Sequence, residues 1–299
     1  MQDEKIYMSY EEFKEKIKKE VTERLDTSKR VLLTPILKNN GMVLDGLIIM
    51  EQCRNISPTI YLNSYYDKYM EGEAIEDIIE DVTKTYKKHL PTEDFDISQF
   101  RDFEKASKNI VFKLVSKEAN KELLEDIPYV EYQDLALIFV CVVNNFKREY
   151  ATILIHNAHA NMWDVDAKTL YQIALQNTPN IHPYKFDCLD YLVRQQGVSD
   201  IEDVPMYILT NWIKIFGATC MVYPTLLKRI ADFLQDNLII IPSSVHEVLI
   251  IPESEALKIY TMDEVNEMIV ETNETVVGRD EILGDHAYRF DRESEEITY

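Results

Sequence analysis

The chain has 299 residues, 46% of them hydrophobic and 10% aromatic, which is enough apolar material for one large core or two modest ones and excludes a disordered chain. Against 32 lysines and arginines stand 53 aspartates and glutamates, a formal net charge of -21. Affinity for DNA or RNA comes mainly from cationic side chains that release condensed counterions, so this balance argues against direct nucleic-acid binding and for a partner protein with a basic surface.

Ser9-Tyr-Glu-Glu12 is a capping box, and Tyr10, Phe13, Ile17, Val21 and Leu25 recur behind it at helical spacing, which predicts an amphipathic first helix. Residues 31–37 and 42–50 flank Asn39-Asn40-Gly41, whose residues tolerate the positive φ of a tight hairpin turn. Pro35 cannot donate to a ladder, so the first of these strands belongs on an edge. A short strand at 59–62 leads into helices at 64–70 and 73–88, the second with Ile75, Ile78, Ile79, Val82 and Tyr86 on one face. Pro91-Thr-Glu-Asp-Phe-Asp96 is polar and breaks the periodicity, which sets a boundary between an N-terminal unit at 1–90 and a C-terminal domain at 97–299.

Beyond it, a strand at 110–115 and a helix at 117–125 precede Leu135-Ala-Leu-Ile-Phe-Val-Cys-Val-Val143, a run without alternation, as a central strand covered on both faces requires. Residues 151–155 pair with that run across Asn144-Asn145. Asp164 or Asp166 caps a helix carrying Leu170, Ile173 and Ala174. A strand at 206–210 follows, and then a helix opened by Pro224 with Leu227, Ile230, Ala231 and Leu234 inward. Residues 238–241 and 247–251 form a hairpin around Pro242-Ser-Ser-Val-His246. Thr261-Met-Asp-Glu264 is a second capping box, backed by Val265, Met268 and Ile269. The fold class is α+β: a small N-terminal helix-hairpin-helix unit and a larger mixed α/β sheet domain with helices packed on it.

Cys53, Cys141, Cys188 and Cys220 form no C-x-x-C pair and read as buried free thiols of a reducing compartment. The opening Met-Gln-Asp-Glu-Lys-Ile-Tyr has no apolar stretch of a signal peptide, and the longest apolar run is half the length of a bilayer span. The expected location is cytoplasmic, with no membrane partner.

Ser9-Tyr-Glu-Glu-Phe13, Asn40-Gly-Met-Val-Leu-Asp-Gly-Leu47, Asn55-Ile-Ser-Pro-Thr-Ile-Tyr-Leu62, Tyr207-Ile-Leu-Thr-Asn211, Gly217-Ala218 and Pro242-Ser-Ser-Val-His-Glu247 carry a resemblance. Nearly end to end, the chain resembles a domain-of-unknown-function family, number fifty-six eighty-eight, from Firmicutes and chiefly gut Clostridia. The resemblance implies a bacterial protein, in part a mobile-element cargo, and assigns no catalytic or binding residue.

Four side chains suit a divalent metal: His156, His159, Asp164 and Asp166, two imidazoles and two carboxylates within eleven residues. The same residues also read structurally, with His156 ending a strand, His159 in a loop and one of the aspartates capping the next helix. Ser243, Ser244, His246 and Glu247 sit at the expected hairpin tip. In an extended segment His246 and Glu247 point to opposite faces, so these residues suit an interaction loop better than a catalytic triad. Only seven glycines are present, with no G-x-G-x-x-G or P-loop pattern, which counts against dinucleotide and nucleoside-triphosphate enzymes, and no cofactor is assigned. Cys188 and Cys220 have no nearby basic residue to activate a thiolate. Tyr61, Tyr65, Tyr66 and Tyr69 fall on one helical face, either core packing against the hairpin or a partner groove. The carboxylates of residues 263–296 are either a solvated surface or an imitation of a phosphate rail. Together these features favour a non-catalytic protein-interaction or regulatory module, with a nucleic-acid-mimicking inhibitor of a host or defence enzyme and a metal-dependent hydrolase built on His156 to Asp166 as the alternatives.

Overall fold

In the computed structural model, which describes residues 7–52, 54–91, 94, 96–143, 151–189 and 204–299, Ser9 starts helix α1 (Tyr10–Arg24) through the capping box read from the sequence. Ser9 Oγ accepts from the Glu12 amide at 3.4 Å and Glu12 Oε2 accepts from the Ser9 amide at 2.8 Å. Those bonds satisfy two donors that a helix start otherwise leaves open, and they hold the Glu12 carboxyl below its usual range. Cys53, the Asn144-Asn145 turn, the opening six residues, and Thr92, Glu93 and Phe95 of the boundary segment lie outside the described residues.

The chain divides into two compact units, Met1–Lys38 with Met42–Ile97, and Asn39–Gly41 with Ser98–Tyr299. In the first, β1 (Lys29–Leu37), β2 (Val43–Glu51) and β3 (Thr59–Tyr61) form an antiparallel sheet in that order. Pro35 sits on β1, an edge strand, where its missing N–H leaves no ladder bond unmade. Asn40 and Gly41 turn the chain between β1 and β2 with φ of 59° and 66°. Pairs Val31↔Ile49 and Leu33↔Leu47 put these apolar residues on one sheet face, in one core with Phe13, Ile17 and Val21 of α1. Helices α2 (Asn63–Met70) and α3 (Ile75–His89) complete that core with Tyr65, Ile78, Ile79, Val82 and Tyr86. Each fully buried Ile, Leu, Val or Phe contributes about 1.5–3 kcal/mol.

The tyrosines do not share one role. Tyr65 is core, its hydroxyl 3.1 Å from Thr85 Oγ1, whereas Tyr66 and Tyr69 pack on Phe13 of α1 at ring distances of 5.2 and 5.5 Å. Tyr66 donates to the Met8 carbonyl and Tyr69 accepts from the Met8 amide. These rings pack on α1 as well as on the core that Val31, Leu47 and Ile49 of the hairpin share, in keeping with the core packing expected; Tyr61 stands apart on β3 with the Lys38 ammonium 4.3 Å over its ring.

In the second unit, α4 (Ile97–Arg101) and α5 (Phe103–Ala106) lead to β4 (Ile110–Ser116), α6 (Lys121–Asp126), β5 (Tyr129–Tyr132), β6 (Leu135–Val143) and β7 (Ala151–Leu154). All nine residues of β6 are buried, in keeping with the unbroken apolar run. β4 pairs along one edge of β6, and β5 and β7 follow one another along the other. After α7 (Asn157–Trp163), α8 (Ala167–Ile181) packs on β4, with Leu170, Ala174 and Thr178 buried and Thr178 Oγ1 accepting from the Phe112 amide at 3.2 Å.

A second antiparallel sheet is built from β8 (Tyr184–Cys188), β9 (Tyr207–Asn211), β10 (Leu238–Ser244), β11 (Glu247–Pro252), β12 (Tyr288–Phe290) and β13 (Ile297–Thr298), in the order β13-β12-β10-β11-β9-β8. Helices α9 (Leu226–Leu234), α10 (Glu253–Ala256) and α11 (Met262–Thr275) accompany it. Thr225 with φ of 60° precedes α9, so Pro224 stands outside the helix it was expected to open. No helix among the described residues is long and apolar enough to cross a membrane.

His182, directly after α8, is 3% exposed, and its carbonyl accepts from Tyr223 Oη at 2.8 Å. Burial pushes the imidazole down to about 4 from an ordinary 6.5. Below pH 6.5 the unfolded chain therefore takes up a proton that the folded chain refuses until pH 4, and stability falls with pH across that window. At pH 5 the loss is about 2 kcal/mol. Denaturant unfolding at pH 7 and pH 5 should show a stability drop smaller by about that amount in His182→Leu than in the natural chain.

Candidate functional site

The two histidines of the first candidate segment come together and the two aspartates do not join them. His156 is the N-cap of α7, and its amide donates to His159 Nδ1 at 3.1 Å. His159 thus lies in the first turn of a helix, where a loop was expected, because its imidazole serves as the acceptor that a capping residue needs. With Nδ1 accepting, the neutral ring carries its proton on Nε2. His156 Nδ1 is 2.7 Å from Asp126 Oδ2, and the two rings are 5.5 Å apart. Phe100 meets His159 edge-on at 5.0 Å; burial, and then the charge of His156, push the His159 pKa down. Asp164, with φ of 55°, closes α7, while Asp166 caps α8 by accepting from the Thr169 amide at 2.8 Å. Among the described residues no group of three or more His, Cys, Asp or Glu side chains is placed to hold a metal ion.

The second segment is held from several sides. β10 continues through Pro242 and Ser243 to Ser244 across a bulge, so the turn is Val245-His246 and both serines belong to the strand, where a hairpin tip was expected. Ser244 Oγ accepts from the His246 amide at 3.1 Å, and His246 Nδ1 accepts from the Phe216 amide at 3.2 Å. The Phe216 ring stacks on the imidazole at 5.9 Å. Thr210 Oγ1 donates to the His246 carbonyl at 2.8 Å, and the Val245 amide donates to the Glu281 carbonyl at the same distance. Glu247 starts β11, opposite Ser244. Gly217 lies so close to this turn that a methyl group there would overlap Thr210 Oγ1 and the His246 carbonyl and come within 2.8 Å of the Asn211 nitrogen.

A groove that no motif marks lies in the same unit. About 380 Å³ in volume, it is lined by Met206, Ile241, Pro242, Ile251, Val265 and Ile269, with Ser243, Tyr260, Thr272 and Asn273 supplying polar atoms. That size and composition suit a site for apolar groups with a few orienting polar contacts. α11 lines the groove with Val265, Met268, Ile269 and Thr272, a one-face pattern that in the sequence reads as core packing alone. Met268 is nevertheless 40% exposed. The same helix carries Asp263, Glu264, Glu267, Glu271 and Glu274, all exposed, and no lysine or arginine. Among the described residues none of the five has a cationic partner within 4 Å.

A third polar cluster was not legible at all. Tyr288 of β12 donates to Asp134 Oδ1 at 2.6 Å, His286 Nε2 is 3.6 Å from Asp134 Oδ2, and the Tyr299 ring stacks on His286 at 4.8 Å. Burial and then the hydrogen bond to Asp134 raise the Tyr288 pKa, so the phenol keeps its proton and ties β12 to the β5–β6 turn.

The model of a family of unknown function (DUF5688) matches residues 10–292, and the chain belongs to that family. No curated protein and no solved structure matches it.

The space at Gly217 is testable. Gly217→Ala forces the backbone of the Val245-His246 turn or of Asn211 to move, at a cost of about 1–3 kcal/mol for overpacking. Denaturant unfolding should register it as a lower midpoint with an unchanged slope.

Proposed function

We propose that the protein is a non-catalytic interaction module whose groove beside α11 takes a basic amphipathic segment of a partner protein. Membership of its family brings no activity with it, so the reading stands on the site. The observation that carries it is an apolar groove walled by Val265, Met268 and Ile269 of α11, a helix whose solvent-facing side carries exposed carboxylates that have no cationic partner among the described residues. An amphipathic helix docks by laying apolar anchors at i, i+3, i+4 and i+7 into such a groove.

Magnitudes assign the roles. Exposed ion pairs contribute about 0–1 kcal/mol each, whereas one buried Leu or Ile contributes about 1.5–3 kcal/mol. The apolar anchors therefore supply the affinity, and the α11 carboxylates supply partner choice and association rate. A nucleic-acid mimic would use the same carboxylates, Asp263, Glu267, Glu271 and Glu274, which follow one another at helical spacing, but would have no use for the groove. A metal-dependent hydrolase has only His156 and His159 brought together of its four side chains.

Fluorescence anisotropy with the full chain separates these readings, using three labelled probes: an amphipathic Leu/Lys peptide, the same composition scrambled, and an oligolysine. The amphipathic peptide should bind best. Met268→Asp, which places a charge on the groove wall, should weaken it by about tenfold or more. A Glu267→Gln, Glu271→Gln, Glu274→Gln triple variant should slow association and flatten its salt dependence while leaving much of the affinity in place. Equal binding of oligolysine, insensitive to Met268→Asp, would replace the groove by the mimic; no binding of any probe would sink both.

A further inference from the structure

The hydrogen bonds between β8 and β9 determine which backbone groups of β8 point away from the molecule's own sheet. Pro183 O accepts from the Trp212 amide at 3.1 Å and the Leu189 amide donates to Met206 O at 2.8 Å. Between these two bonds the register pairs Lys185 with Thr210 and Asp187 with Ile208. Hydrogen-bonded pairs recur every second residue in an antiparallel ladder, so residues 183, 185, 187 and 189 turn their amides and carbonyls toward β9. The amides and carbonyls of Tyr184, Phe186 and Cys188 point outward. β8 ends the sheet order, and among the described residues no strand pairs with its outer side.

We propose that a second copy of the chain pairs with this edge, β8 against β8, antiparallel about a two-fold axis through Phe186. Three properties of the strand select that occupant. First, the outward residues are symmetric about the axis: Phe186 faces Phe186 of the partner subunit and Tyr184 faces Cys188 of the partner subunit, so each outward residue both donates and accepts across the joint. Second, Lys185 then faces Asp187 of the partner subunit. This is a non-hydrogen-bonded pair, where opposing side chains come closest, and Asp187 in turn faces Lys185 of the partner subunit. Within one chain Lys185 and Asp187 already form an ion pair on one face of the strand, so pairing yields a square of alternating charge and no like-charge contact. Third, a large apolar side chain lies exposed beside this edge: Trp212, whose amide donates to the Pro183 carbonyl, is 66% exposed with the Lys185 ammonium 5.6 Å over its ring, and Tyr184 of the strand is 37% exposed. Phe186 stacks on Tyr207 at 5.1 Å, which stiffens the strand at the axis.

The formal charge of -21 on each copy works against association at low ionic strength. Sedimentation velocity therefore belongs at about 0.15 M salt or above, where the screening length is about 8 Å or less. The full natural chain should sediment as a concentration-dependent dimer. Lys185→Asp and Asp187→Lys each place like charges opposite one another, and the two-fold axis doubles the effect, so each alone should raise the dimer dissociation constant by about tenfold or more. Mixed in equal amounts, the two variants restore opposite charges at every position and should sediment as a dimer. Phe186→Pro, which removes an amide that β9 does not use, should be monomeric with an unchanged circular dichroism spectrum. A natural chain that stays monomeric to about millimolar concentration, reversal variants that dimerise as well as it does, or a mixture that remains monomeric would overturn the proposal.

Discussion

The close approach of Gly217 to the His246 carbonyl organises the second sheet. A side chain at Gly217 would occupy the place of Thr210 Oγ1, which donates to that carbonyl, so the helical turn Gly217–Val222, strand β9 and the β10–β11 turn meet at one point without room for a methyl group. Phe216 donates an amide hydrogen bond to His246 and stacks its ring on the imidazole, and the Glu281 carbonyl accepts from the Val245 amide. Because β11 lies between β9 and β10, holding their shared turn sets the register of three strands together. Ile241, Pro242, Leu249 and Ile251 of those strands line the groove. At the turn Ser244, His246 and Thr210 are each held by a hydrogen bond, which fixes the strands that line the groove.

Charge is distributed unevenly over this acidic chain. Lys14 neutralises Asp45, Lys29 neutralises Glu51, and Arg289 grips Glu253. Arg289 first, with help from Asn237, holds the Glu253 carboxyl below its usual range even though partial burial works the other way, and this joins α10 to β12. Among the described residues α11 has no such compensation. Exposed pairs contribute little to stability, so what matters is where the uncompensated charge sits, and it sits on the solvent-facing side of the helix that walls the groove.

Much of the local structure was legible because it depends on neighbours in sequence. Both capping boxes form with the residues named, Pro35 lies on an edge, Asn40 and Gly41 turn with positive φ, and the unbroken run of β6 is buried throughout. The misplacements have physical causes. The bulge between Ile241 and Ser244 carries β10 past Pro242 and moves both serines into the strand. His159 leaves the expected loop because an imidazole acts as an acceptor for an N-cap amide. Tyr61 leaves the shared helical face because it lies on β3, while Tyr66 and Tyr69 find partners for their hydroxyls in the Met8 backbone. β8, five residues with two charges, is too short and polar to announce itself, and it is a strand because β9 supplies its ladder.

By itself the sequence determined the α+β class, the two helix starts marked by capping boxes, the hairpin turn, the buried central strand and the excess of carboxylates, since each follows from spacing, capping chemistry or composition within a short window. Tertiary structure alone decided that the aspartates of the histidine segment cap helices, that the serine-histidine turn is an anchored joint, and that a groove opens beside an uncompensated acidic helix. These depend on which distant side chains meet, and a pattern of period two or 3.6 says which face is apolar without saying what lies across from it.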